Sequence, residues 1–266
     1  MKNILVAITA VALSGAASAD LALSAHLGPL ALQLTDLKLD DGVQPLLQIT
    51  EGDSQGRITV TLPNRERRVG AGFYPLLLPG SSSLTAGAAS ATLSHLGSGS
   101  LDSFSMSADG KVLGGGQDYG LWLSAFSWSN VGLTLSAHTR LDVVATATVS
   151  LSGELFADPR FRRNFSSYAS LGLGEGVLGS PGDLIREEFA VVSVASPFPA
   201  LDLSGERILR ASFVNDTAFD RQIYLASTVS IISDMTSPVP EPSRLAMLMA
   251  GAGLFGLVRS ARWRRR

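Results

Sequence analysis

Between positions 141 and 151 the chain alternates with a period of two. Leu141, Val143, Ala145, Ala147, Val149 and Leu151 fall on one side, and Asp142, Thr146, Thr148 and Ser150 on the other. Only an extended backbone sends every second side chain to the same face, so this stretch predicts a strand with one buried and one wet surface. Such a strand belongs in an antiparallel sheet, because parallel strands are covered on both faces and read as continuous apolar runs. Further strands are expected at 30–39, 46–49, 57–62, 101–108, 119–128, 187–194, 208–215 and 222–232, separated by connectors such as Pro79-Gly80-Ser81-Ser82-Ser83 and Gly114-Gly115-Gly116. The stretch 167–178, with Gly172, Gly174 and Gly176, reads equally as a loop or a bulged strand. No run alternates strand, helix and strand, which argues against a doubly wound nucleotide-binding sheet. The expected body is all-β: an antiparallel β-sandwich, jelly-roll-like, over residues 20–238.

The two ends of the chain carry different signals. Lys2, the apolar run Ile4–Leu13 and the small residues Ala17-Ser18-Ala19 before Asp20 have the layout of a secretory signal peptide, residues 1–19. Its apolar part falls short of the roughly 20 residues that span a bilayer, so cleavage after Ala19 is expected rather than anchoring. At the other end, Pro240-Glu241-Pro242 precedes the apolar stretch 245–258, and then come Arg259, Arg262, Arg264, Arg265 and Arg266. Two prolines hold the backbone extended at the membrane face, the apolar residues form a short transmembrane helix, and the arginines stay on the cytoplasmic side. The net charge of −2 hides this division: residues 20–238 hold fourteen Lys/Arg against twenty-two Asp/Glu, a balance of −8, whereas residues 239–266 hold six Arg against Glu241. An acidic body is repelled by phosphate backbones, and no nucleic-acid partner is expected.

The ordered triplet of Pro240-Glu241-Pro242, a short apolar helix and an arginine-rich terminus resembles the PEP-CTERM sorting domain of Gram-negative bacteria, over residues 239–266. The resemblance implies recognition of Pro240, Glu241 and Pro242 by an exosortase, transient hold in the inner membrane through residues 245–258, and delivery to the cell surface or an exopolysaccharide matrix. Three pieces of the body are similar to a recurring group of secreted, β-rich proteins with the same tail: Leu34–Gly42 with Pro45, Leu133–Arg140, and Ala211–Asp216. Ala137 stands where that group usually has proline.

The chemistry of catalysis is sparse. Without cysteine, thiolate nucleophiles, disulfides and Cys-ligated metals are excluded. No G-x-S-x-G elbow and no H-E-x-x-H helix occurs, and His26, His95 and His138 are scattered without partners at a telling spacing. Asp36, Asp40 and Asp41 before Gly42 could offer oxygens to calcium, but the spacing departs from an EF-hand and an Asp-Asp-Gly turn explains them. Glu187-Glu188 could supply one carboxylate for glycoside hydrolysis, yet adjacent strand residues point to opposite faces and cannot form the pair. The basic clusters 65–68 and 160–163 read as solvated loops that could contact acidic polysaccharide. Trp122, Phe126 and Trp128 share one strand face, with Tyr119 on the other. They form either a sugar-stacking platform or a core stripe, the commoner outcome for large rings. The expectation is a non-enzymatic exported surface or matrix protein with no catalytic residue, metal or cofactor. A secreted carbohydrate-binding module using Trp122, Phe126 and Trp128 is the alternative, and a hydrolase with a dispersed site the third reading.

Overall fold

A computed structural model describes residues 19–74, 76–114, 121–154, 162–176, 184–195 and 200–236. Thirteen strands follow one another: β1 (Ala19–Leu27), β2 (Ala31–Asp36), β3 (Leu47–Thr61), β4 (Arg67–Tyr74), β5 (Gly80–Ala86), β6 (Ala89–Leu96), β7 (Ser105–Gly114), β8 (Trp122–Leu135), β9 (Thr139–Glu154), β10 (Arg162–Glu175), β11 (Leu184–Ala195), β12 (Ala200–Asn215) and β13 (Arg221–Thr236). A single 3-10 turn at Leu101–Ser103 leads into β7. Among the described residues there is no α-helix, and none of them forms a helix long and apolar enough to cross a membrane. Residues 1–18 and 237–266, which carry most of the expected signal sequence and all of the expected sorting motif, lie outside the described residues.

The strands form two sheets in which all pairings are antiparallel. One runs β12-β9-β1-β7-β6-β5, with β2 continuing the line of β1 along the same edge of β9; the other runs β11-β10-β13-β8-β3-β4. Gly28 N–H donates to Thr146 O at 2.7 Å where β1 passes into β2, and Pro29, which has no N–H to give, marks the break. The inner faces of the two sheets share one core. The stripe of β9 from Leu141 to Leu151 is entirely buried, facing β10 with its Phe165, Ala169, Leu171 and Leu173, while Ile223, Leu225, Val229 and Ile231 of β13 complete the same core across from β1 and β7. Space between the sheets is tight: a Cβ added at Gly110 would stand 2.4 Å from Ile231 Cδ1, so a larger residue on β7 would drive the sheets apart.

Several strand limits differ from the sequence expectation, for identifiable reasons. Residues 46–49 and 57–62 belong to one fifteen-residue strand, β3, whose register shifts between Ile49 and Glu51. That bulge throws the hydrophobic alternation out of phase and splits one strand into two in the sequence. The stretch 101–108 begins as a 3-10 turn and becomes strand only at Ser105. Residues 80–83, expected as a connector, lie in β5, since four small residues pair as well as large ones when β6 supplies the partner. Residues 167–175 are a strand paired on both sides, by β11 and β13, with a register shift at Leu173/Gly174.

The open edges of the two sheets meet and seal each other. Arg207 of β12 donates from Nη1 to Phe189 O of β11 at 2.8 Å, and Glu188 accepts the Arg210 N–H at 2.9 Å. Unpaired edge groups that would otherwise recruit another strand are used internally.

Candidate functional site: the outward face of the six-stranded sheet

On β8, Leu123, Ala125, Ser127 and Ser129 are buried while Trp122, Phe126 and Trp128 are only half-buried on the outward face. The core expectation for these rings is therefore corrected: the small-residue stripe points inward. The inner serines are satisfied in pairs. Ser54 and Ser129 hydroxyls lie 2.7 Å apart, and Ser127 donates to Gln55 O at 2.8 Å. Serine paired this way can be buried without the usual penalty. Tyr119 lies outside the described residues.

Outward, Phe126 and Trp128 stack with centroids 5.2 Å apart and planes inclined by 10°. A second pair, Tyr168 of β10 and Phe189 of β11, stacks at 6.0 Å and 29°. Between them β13 presents Thr228 and Ser230, in register with Trp128 and Phe126. On the far side of β8, β3 places Gln55 opposite Trp128 and Arg57 opposite Phe126. Two carboxylates flank the stripe. Asp53, opposite Asn130, accepts from Gln55 Nε2 at 3.0 Å through one oxygen, while its Oδ1 is buried without a partner. Asp234, opposite Trp122, has an equally unpartnered buried Oδ1, and burial raises its pKa. At the β13-start end of the stripe Gly132 leaves a depression of about 290 Å³, lined in part by Thr50, Glu51 and Gln222. Glycine is required there, because a Cβ would come within 2.9 Å of Thr50 Oγ1 and 3.0 Å of Glu51 Cγ.

The other sequence candidates do not converge on a reactive centre. His95 is buried between the sheets against Tyr74, with centroids 4.3 Å apart, and edge-on to Phe104. Its Nε2 lies 2.6 Å from Ser127 Oγ. Because the one hydroxyl proton of Ser127 goes to Gln55 O, Nε2 carries the proton and donates, which leaves Nδ1 as a bare acceptor facing apolar neighbours. Burial lowers the His95 pKa to about 4. This is a histidine–serine pair that no substrate can reach.

His26 is an outward residue of β1, raised in pKa first by its hydrogen bond to Asp109, at 3.1 Å. His138 occupies a turn with φ +49 and lies 3.9 Å from Asp41. Asp36 and Asp41 spend one oxygen each on the N–H two residues ahead, Lys38 and Val43, both at 2.8 Å, and Gly42 has φ +73. That is turn chemistry. Among the described residues no group of three or more His, Asp or Glu is arranged to hold a metal. Glu187 accepts from Tyr168 OH at 3.0 Å and Glu188 from Arg210, on opposite faces of β11. Of the basic clusters, Arg65 and Glu66 lie in the β3–β4 turn and Arg67 and Arg68 open β4, with Glu66 paired to Arg68, while Arg160 and Phe161 lie outside the described residues. So do Pro240, Glu241, Pro242 and the arginines from 259 to 266.

The three pieces that resemble secreted, tail-bearing proteins meet at one end of the body. Asp36, Thr139 and Asn215 stand in one row across β2, β9 and β12. The buried Asn215 amide donates to Leu135 O, Ser136 O and Phe219 O at 3.2, 2.9 and 2.9 Å, and Ser136 Oγ lies 2.8 Å from Thr139 Oγ1. Ser136 Oγ also accepts the Leu46 N–H at 2.8 Å. These residues clasp loops from both sheets, a structural role. The residues that sequence reading missed are Tyr168, Phe189, Asp53, Gln55 and Asn130. Their signal is an outward position beside another ring or amide, on the same strand for Asp53, Gln55 and Asn130 and across strands for Tyr168 and Phe189, and it becomes visible only once the strand register is known.

No protein-family model matches the chain, and no curated protein or solved structure matches it either.

Proposed function

We propose that this is a non-enzymatic exported protein of the cell surface or extracellular matrix of an exopolysaccharide-producing Gram-negative bacterium. Its body is a jelly-roll-like β-sandwich over residues 20–238. Residues 1–19 direct secretion, and residues 239–266 hold the protein in the inner membrane until an exosortase acts at Pro240-Glu241-Pro242.

One structural observation supports this reading above the sequence pattern. β1 starts and β13 ends at the same end of the body, the end away from the Asn215 clasp. A chain tethered by its tail would then stand with β9 and β13, each of 16 residues and so about 50 Å long, projecting from the membrane. β1 opens at Ala19, so a cut after that residue costs the sheet a single position. A non-catalytic role is further supported by the fate of the reactive side chains, since the histidine–serine pair is sealed in the core and Glu187 and Glu188 are tied to Tyr168 and Arg210.

Intact-mass measurement of surface-located protein tests it. The expected material begins at Asp20 and lacks or carries modified residues beyond about position 242, and Glu241→Ala leaves the full tail in the membrane fraction. Surface material retaining Arg266, or wild-type protein in the cytosol still bearing Met1, would overturn the proposal.

A further inference from the structure

We infer that the outward face of the six-stranded sheet binds a neutral, extended polysaccharide along β8, from the Phe126–Trp128 pair toward the depression over Gly132. This goes beyond the sorting proposal, which concerns where the body is delivered and not what it holds, and either can fail without the other.

The first argument is the inversion of β8. Fully burying an aromatic side chain removes about 150–250 Å² from water, the largest gain open to a residue on this strand. Here serine and alanine take the interior and three rings stay outside. Contiguous exposed rings rimmed by polar groups mark contact surfaces, whereas scattered single ones do not. The stripe is also not alone. Across the sheet, with only β13 between β8 and β10, the Tyr168–Phe189 pair lies about 10 Å from the β8 rings, beside the path along β8 and not on it.

The polar groups decide what the occupant is. A pyranose offers apolar C–H faces and a belt of hydroxyls, so it needs rings interleaved with donors and acceptors. Gln55 and Asn130 border Trp128, and beside them Asp53 keeps one buried carboxylate oxygen without a donor. That oxygen is shielded from solvent, so the groups a sugar hydroxyl meets here are the half-buried amides of Gln55 and Asn130. Arg57 and Asp53 on the β3 flank and Asp234 on the β13 flank leave no single-sign field, which is wrong for a polyanion or a nucleic acid. A second copy of this chain fits less well, because the centre of a protein–protein interface is depleted in charge and this one would bury two carboxylates. The depression beside Glu51 and Gln222 has room for a branch or substituent on the glycan.

The test is native affinity electrophoresis of the full chain in detergent, in gels cast with hydroxyethylcellulose, laminarin or galactomannan, with alginate as the polyanion. Retardation is expected in at least one neutral polymer, weakened about tenfold or more by Trp128→Ala and less by Asn130→Ala, and unchanged by Thr148→Ala on the other sheet. Thermal melting of each variant reports whether it is folded, and Asn130→Ala alone suffices if Trp128→Ala is not. The inference is overturned by no retardation in any of the three neutral polymers, by retardation of folded Trp128→Ala equal to wild type, by retardation in alginate alone, or by self-association that Trp128→Ala abolishes.

Discussion

The two outward faces of this molecule are built over one core, yet they solve the problem of meeting water in opposite ways. The seven-stranded sheet closes its surface on itself. Ser24 pairs with Ser150 at 2.7 Å and Ser94 with Ser107 at 2.6 Å, His26 meets Asp109, Lys111 meets Asp20, and Arg140 and Ser212 converge on Asp142. Cross-strand pairs of this kind stabilise a sheet and leave little for a partner to use. On the six-stranded sheet, mostly half-buried rings stack on the outward face and the carboxylates beside them each keep a buried oxygen without a donor. The difference teaches that polarity alone does not mark a site; unfinished hydrogen bonding beside exposed rings does.

The contrast assumes that both faces rest on a single core, and His95 offers the strongest way to break it. The ring belongs to β6 of one sheet and donates to Ser127 on β8 of the other. Its folded pKa of about 4 lies below the ordinary value of 6.5, so between these values the unfolded chain binds the extra proton. Stability is therefore full above about pH 6.5 and falls on acidification toward pH 4, by about 3 kcal/mol. Urea titrations across this window should show one transition for far-UV circular dichroism and tryptophan fluorescence alike. Two separated transitions would mean that the faces are independent. His26 works the other way: its raised pKa contributes stability below pH 6.5 that is lost as pH rises through the folded value, and half exposure keeps that effect small.

Next in size is the clasp. Asn215→Ala should cost about 2–3 kcal/mol, since the buried Leu135 and Ser136 carbonyls and the part-buried Phe219 carbonyl lose the amide donors they share, and thermal melts would read it. The closest comparison of the two faces follows, because it reverses sign. Burial, the largest influence on Asp142, raises its pKa, but the hydrogen bonds from Arg140 and Ser212 outweigh this and hold the carboxyl below its usual range. Asp142→Asn should destabilise by about 1 kcal/mol. Asp234, raised by burial and short of a donor, should tolerate Asp234→Asn or gain roughly 0.5 kcal/mol. Equal losses at both positions in denaturant titrations would erase the distinction between a finished and an unfinished face.

Much of the fold was legible in the period of two. β9 buries the stripe that its alternation marks, Leu141 through Leu151, because both chain neighbours and cross-strand partners keep strict register. β1 was hidden, since Leu21, Leu23, Ala25 and Leu27 follow directly on a stretch that reads as a signal sequence, whose small residues read as a cleavage site. β5 was hidden by its serines. The orientation of β8 was not legible at all. Apolarity favours burying Trp122, Phe126 and Trp128, and what reverses this is the mutual satisfaction of Ser54 with Ser129 and of Ser127 with His95 and Gln55, contacts 32 to 75 residues apart in the chain. Polar pairs across such distances have no local signature, so the candidate site emerged only with the register.

The most direct measurement is acrylamide quenching of tryptophan fluorescence in the full chain carrying Trp263→Phe, which leaves Trp122 and Trp128 as the reporters among the three tryptophans. With a neutral polysaccharide that retards the protein in gels, quenching of these two residues should fall as polymer is added and saturate, and it should be indifferent to Thr148→Ala. Quenching that stays at the polymer-free value while retardation persists would place the glycan elsewhere and contradict the assignment of the six-stranded sheet's outward face.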